Sequence, residues 1–131
     1  MIVVDTNVLA YLYLPGKLSD AAEALFLRDP EWAVPRLWRS EFRNVLATYT
    51  RKDLLTYDGA LSIFRKAEAL VAGAEYDVGA GQVLRLARDS GCSAYDCEFV
   101  ALAEHLDVRL ISEGAGLCKA FPSRATLLSG A

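Results

Sequence analysis

The sequence predicts a three-layer α/β/α domain with a short-stranded, mainly parallel central sheet, and three features point there. Apolar β-branched runs such as Ile2-Val3-Val4 read as buried strands. These runs alternate with stretches of helical periodicity, the pattern of a parallel sheet with helices on both faces. The helices are many and the strands short, which suits a compact domain with helices as its two outer layers.

Taken in order, the run Ile2-Val3-Val4 breaks off at Asp5, and a new apolar pattern starts after Thr6 and Asn7. This gives a strand at 2–4, a helix at 6–12 and Asp5-Thr6-Asn7 as their junction. Pro15-Gly16 breaks the helix. A helix at 19–29, a strand at 32–34, a helix at 36–52 opened by Pro35, and a helix at 56–72 follow. Next come a short strand near 75–77 and a helix at 80–90 closed by Ser90-Gly91. A helix at 94–106, a strand at 108–112, a helical turn at 115–119 and a strand at 125–128 complete the series. No repeat or linker divides the chain, so residues 1–131 are expected to form one domain.

Composition narrows the function. Hydrophobic residues make up 53% of the chain and the mean hydropathy is +0.21, yet no apolar run is long enough to span a membrane. With no signal-peptide pattern, the expected location is cytoplasmic, and the apolar surplus suggests a partner surface. The formal net charge of -3 excludes a global basic field for nonspecific nucleic-acid binding. It leaves room for a nuclease whose carboxylates are gathered at a metal site. Cys92, Cys97 and Cys118 lack C-x-x-C spacing, so neither a disulfide framework nor a zinc site is indicated. The one histidine, His105, has no nucleophile motif to serve.

Three acids stand at places where carboxylates are either caps or ligands. Asp5 lies at a strand's carboxyl edge, where open α/β sheets bind ligands, and also at a helix N-cap. Glu41 sits at the margin of an apolar stripe formed by Trp38, Phe42, Val45, Leu46 and Tyr49. There it either pairs with a nearby arginine or faces a cation. Asp96 falls in the first turn of a helix whose apolar face is Tyr95, Phe99, Leu102, Ala103 and Leu106, and Ser93-Ala94-Tyr95-Asp96 also fits a capping box. If the three converge, their mutual repulsion would be relieved by a divalent cation. An oxygen-only donor set favours Mg²⁺ or Mn²⁺. Without a Gly-rich phosphate loop, such a site points to phosphodiester hydrolysis.

The segments Val3-Val4-Asp5-Thr6-Asn7, Ser40-Glu41-Phe42-x-Asn44-Val45-Leu46 and Ala94-Tyr95-Asp96-x-x-Phe99-Val100-Ala101-Leu102-Ala103-Glu104 resemble the PIN domain. More narrowly they resemble the VapC toxins of VapBC toxin–antitoxin modules. The closing Leu110-Ile111-Ser112 and Leu117-x-x-Ala120-Phe121-Pro122 extend the likeness nearly end to end. The resemblance implies a Mg²⁺- or Mn²⁺-dependent endoribonuclease, inhibited by a cognate VapB-type antitoxin and usually a homodimer. It assigns Asp5, Glu41 and Asp96 as metal-ligating catalytic acids. Thr6, Asn7 and Ser112 match supporting polar positions. The family's usual fourth acid falls at Gly114, which has no side chain to offer, so Glu113 is the candidate in its place. The departure at Gly114 keeps open a PIN-like module that binds RNA or antitoxin without cutting. A haloacid-dehalogenase-type phosphatase would need an acid where Asn7 stands, and a receiver domain places its phosphoacceptor after a middle strand.

RNA approaches through its phosphates, so cations are expected around the acids. Arg39 and Arg43, spaced i, i+4 on one edge of the helix that carries Glu41, are the candidates. The helices at 6–12 and 19–29 carry more apolar and aromatic residues than one stripe each requires, a possible groove for an antitoxin helix. The helices at 56–72 and 80–90 are candidates for a symmetric dimer face.

Overall fold

In the computed structural model, which describes residues 1–131, five parallel strands lie in the order β3-β2-β1-β4-β5. The strands are β1 (Ile2–Val4), β2 (Trp32–Pro35), β3 (Glu75–Tyr76), β4 (Leu110–Ser112) and β5 (Ala125–Leu127). Seven helices connect them: α1 (Thr6–Tyr13), α2 (Ser19–Arg28), α3 (Trp38–Arg51), α4 (Tyr57–Leu70), α5 (Ala80–Ser90), α6 (Ala94–Leu106) and α7 (Ala115–Ala120). The predicted three-layer class is what the chain adopts.

Strand alternation divides the core. Side chains of successive strand residues point to opposite faces, so Ile2, Val4, Trp32, Val34 and Ile111 pack with residues from α1, α2, α3 and α4. Val3, Ala33, Leu110 and Ala125 pack on the other face against α6 and α7. Both faces of the central strands are therefore covered, which is why their sequences read as unbroken apolar runs. The crossovers β1→β2→β3 run over one face, and β3→β4 runs back over the other. This arrangement keeps each connection right-handed and makes the gap between β1 and β4 the point where strand order reverses.

Three local expectations are corrected. Pro35 does not open the third helix: it is the last residue of β2, opposite Tyr76. The following Arg36 amide still donates to the Tyr76 carbonyl, so α3 starts only at Trp38. The fourth strand starts at Leu110 rather than 108. Asp107 turns into the left-handed region (φ 53°) and the Val108 amide bonds back to Ala103, so these residues are spent on ending α6. Tyr95, predicted on the apolar face of α6, is 65% exposed, whereas Cys97, Val100 and Ala101 are buried. α6 is wrapped on most sides by the sheet, α5 and α7, so its burial is wider than one stripe.

Candidate active site

Asp5, Glu41 and Asp96 come from the end of β1, the first turn of α3 and the first turn of α6, and all three line one cavity of about 230 Å³. Thr6, Asn7, Asn44, Val45 and Phe99 complete the lining. The cavity lies at the carboxyl edge of the sheet beside the strand-order reversal, the place where open α/β folds bind ligands.

Asp5 uses both oxygens. Its Oδ1 accepts the Val8 amide at 3.0 Å, a true N-cap of α1. Its Oδ2 accepts the hydroxyl of Ser112, a fully buried residue at the end of β4. Ser112 Oγ in turn accepts the Gly114 amide at 2.9 Å. Cap and cleft roles are thus compatible, because a carboxylate has about four lone-pair sites and these bonds leave some unused.

Glu41 is in no ion pair, so the sequence alternative of an arginine partner is corrected. Its Oε1 instead accepts the hydroxyl of Thr6 at 2.7 Å, tying the start of α1 to α3 across the cavity mouth. Residues at i+3 and i+4, Asn44 and Val45, share its helix face and therefore its cavity. At Asp96 the backbone amide donates to Ser93 Oγ at 3.0 Å. That is half of the capping box, and the Asp96 carboxylate itself makes no hydrogen bond or ion pair.

Asp5 and Glu41 are both shifted upward. Burial, foremost, pushes the Asp5 carboxyl above its ordinary value; the Asp96 charge adds to this, while the Ser112 hydroxyl and the Val8 and Glu113 amides oppose it. Burial is also the first cause at Glu41, reinforced by the charges of Asp96, Asp5 and Glu98 and opposed by the Thr6 bond. Such mutual repulsion in a partly dry pocket is what a bound cation relieves. No three Asp, Glu, Cys or His side chains are grouped so that they could hold a metal ion together. Mg²⁺ does not ask for such a group: it is commonly held by one or two carboxylates and keeps several waters. The donor chemistry of this cavity fits such an ion.

Other candidates fall elsewhere. Glu113 does not line the cavity; its Oε1 accepts the Ser129 amide at 3.3 Å, near the chain's end. Arg39 points away from it, held by Glu75 through Nε and Nη2 (both 2.7 Å) and by Glu68 through Nη1 (2.7 Å). Arg43 lies over the Phe64 ring and borders a larger cavity between α3 and α4. The placement of both arginines corrects the expectation of a cationic rim from this helix edge. At about 100° per residue, positions 39 and 43 face α4 when 41, 44 and 45 face the cleft. Asn44 also lines the cleft, and its i+3 spacing from Glu41 is the sequence signal for it.

The PIN domain family model matches residues 2–120. Ribonuclease VapC3 of Pyrobaculum aerophilum is 31% identical over 131 residues, covering 95% of this chain and 98% of that protein. Among solved structures, PAE2754 from Pyrobaculum aerophilum superposes with a TM-score of 0.77 at 19% identity, covering 98% of this chain and 90% of that one. A toxin–antitoxin complex from Klebsiella pneumoniae gives 0.70 at 18% identity, covering 96% and 97%. FitAcB from Neisseria gonorrhoeae gives 0.71 at 17%, covering 98% and 99%.

Proposed function

Because the chain belongs to the PIN-domain family, we propose that it is a ribonuclease toxin, a metal-dependent endoribonuclease held in check by an antitoxin. The observation that carries this is the convergence of Asp5, Glu41 and Asp96, from three separate elements, on one cavity at the sheet's carboxyl edge.

These three acids are the residues to hold Mg²⁺ or Mn²⁺, and the bound ion supplies charge neutralisation at the phosphate and a more acidic water. The chain's own groups do the positioning. Ser112 and the Val8 amide fix Asp5, and Thr6 fixes Glu41 by its Oε1, leaving Oε2 without a hydrogen bond. A hydrogen bond to a charged group is worth about 1.5–3 kcal/mol, enough to hold one rotamer. Asn7 and Asn44 offer amides to phosphate or ribose oxygens. In the hydrolysis, a water oxygen bonds to phosphorus, one ester P–O bond breaks, and the leaving oxygen takes up a proton. A carboxylate oxygen at the cavity accepts the proton that water loses.

The toxin–antitoxin complex among the neighbours supports an antitoxin of the VapB type as partner. The cavity of about 530 Å³ between α3 and α4 suits an acidic amphipathic segment: Leu46, Ala47, Leu61 and Phe64 form its floor, and Arg43, Arg51 and Arg65 stand around it. In α1 and α2 most of the apolar surplus is taken up by the core, with Leu27 left 83% exposed. A homodimer through α5, where Leu84 is 65% exposed, remains part of the proposal.

The test is direct. Purified protein should cut single-stranded RNA with Mg²⁺ or Mn²⁺, spare it with chelator, and spare it when Asp5→Asn is introduced. Chelator-resistant cutting, or RNA binding without cutting across many sequences, would overturn the reading.

A further inference from the structure

A second cavity of about 420 Å³ adjoins the acid cavity, and the two share Asn7 and Val45 as lining residues. Tyr11 of α1, Leu14 just after it, Tyr49 of α3 and the turn ending at Lys17 form its walls. Both tyrosines are half-buried, packed on the core beneath with the remainder of each ring facing the trough. Burial, and then the charges of Asp5 and Glu113 with Tyr49 behind them, push the Tyr11 phenol above its ordinary pKa. Tyr13, two positions on, donates its hydroxyl to the Lys66 carbonyl at 3.3 Å. The hydroxyls of Tyr11 and Tyr49 have no partner within the protein and are free for a ligand. Lys17 is exposed, is in no ion pair, and is the one cation among the residues lining the two cavities.

Resting on the nuclease reading above, we propose that this trough is a nucleobase subsite: it holds one unpaired base of the RNA next to the cleaved phosphodiester, with Tyr11 and Tyr49 as its stacking walls and Lys17 meeting the following phosphate. A base inside a duplex has both faces covered, so only a single-stranded segment or a loop can enter. The physical need is specific to this chain. A protein of net charge -3 with its two nearest candidate arginines turned away has little electrostatic attraction for RNA. Stacking on aromatic rings, worth about 1–3 kcal/mol per base, supplies affinity without a basic field. The open hydroxyls add a means of telling one base edge from another.

The experiment is steady-state cleavage, with Mg²⁺ or Mn²⁺ present, of an oligoribonucleotide containing a single cut site. Tyr49→Ala should raise KM about tenfold with kcat little changed, the effect of losing one stacked base, and Tyr49→Phe should restore it. Removing the base beside the cut, by an abasic nucleotide, should raise the wild-type KM by a similar factor and add little in Tyr49→Ala, because the two changes remove one contact. Lys17→Glu, on an exposed side chain that leaves the fold untouched, should raise KM severalfold and flatten its salt dependence. The inference is overturned if the abasic nucleotide costs wild type and Tyr49→Ala equally. It is also overturned if Tyr49→Ala and Lys17→Glu leave KM unchanged and weaken only antitoxin binding, which would make the trough a protein-docking surface. A wild type that cuts no RNA at all overturns the nuclease reading itself, a separate outcome.

Discussion

At the scale of single residues, Asp5 joins two duties that its neighbours make compatible: one oxygen caps α1 and the other is held by Ser112. Its burial has a consequence for pH. Asp5, Glu41 and Glu98 have folded-state pKa values raised above 3.8, 4.5 and 4.5, so above those values the folded protein binds more protons than the unfolded chain. Stability must then fall as pH rises through that window. Glu75, Glu68 and Asp89 are shifted the other way by their arginine partners, so their contribution is lost as pH falls below the ordinary carboxylate range. The metal-free protein should therefore be most stable at mildly acidic pH and melt a few degrees lower near neutrality. Asp5→Asn, which keeps an acceptor for Val8, should remove part of that loss; thermal melts across pH in chelator would show it. Gly114→Asp is the complementary test. Gly114 has an ordinary φ of -76° and is the uncapped N-cap of α7, and an added Cβ would meet Ser112 Oγ at 3.3 Å, a contact needing only a small adjustment. The variant should fold, gain a few tenths of a kcal/mol from capping, and bind Mn²⁺ more tightly by calorimetry. The pairing of Asp5 with Ser112 across 107 residues could not be read from spacing, whereas Glu41 could, because a carboxylate at the margin of an apolar stripe has few places to go.

At the scale of elements, α3 organises the molecule by presenting different faces to different neighbours. Trp38 and Phe42 are fully buried, and Trp38 stacks on Phe64 of α4 with ring centroids 5.3 Å apart. Beside them Arg39 bridges Glu75 of β3 and Glu68 of α4, and the Trp38 indole also donates to Glu75 at 2.8 Å. Glu75 is only 12% exposed, so losing Arg39 would strand a largely buried charge. Arg39→Ala should cost about 2 kcal/mol of stability, read by urea titration, while leaving cleavage at saturating RNA near wild type. A large loss of cleavage in a folded Arg39→Ala protein would mean that Arg39 meets substrate after all. The sequence marked both arginines as cleft cations because they flank Glu41 in the chain. Helical rotation separates them, and only the α3–α4 packing, decided by Trp38, Phe42 and Phe64, says which face turns inward. Element types and order were legible throughout from periodicity. The boundaries slipped where backbone groups were claimed by another element, as at Pro35-Arg36 and Asp107-Val108.

At the scale of the whole molecule, the strand order brings distant acids together. Reversal at β1/β4 sets Asp5 beside Ser112, and the helices that follow β2 and β3 deliver Glu41 and Asp96 to the same edge. Asp5 is fixed as the N-cap of α1 and by Ser112, and Glu41 and Asp96 sit in helical first turns, so the cleft is expected to be preorganised. The groove between α3 and α4 lies on a separate part of the surface, which allows inhibition and cleavage to be uncoupled. Leu61→Asp, at a 40% exposed position in that groove, should weaken antitoxin inhibition at least tenfold, as loss of a buried anchor does, and leave free-enzyme cleavage unchanged. The central claim is that one divalent-cation site is shared by three acids from three elements. Its most direct measurement is Mn²⁺ binding by titration calorimetry to wild type, Asp5→Asn, Glu41→Gln and Asp96→Asn, each shown to be folded. The account predicts saturable binding in wild type and at least a tenfold loss of affinity in every single variant. Equal Mn²⁺ affinity in wild type and the three variants, or no binding to wild type at all, would contradict it.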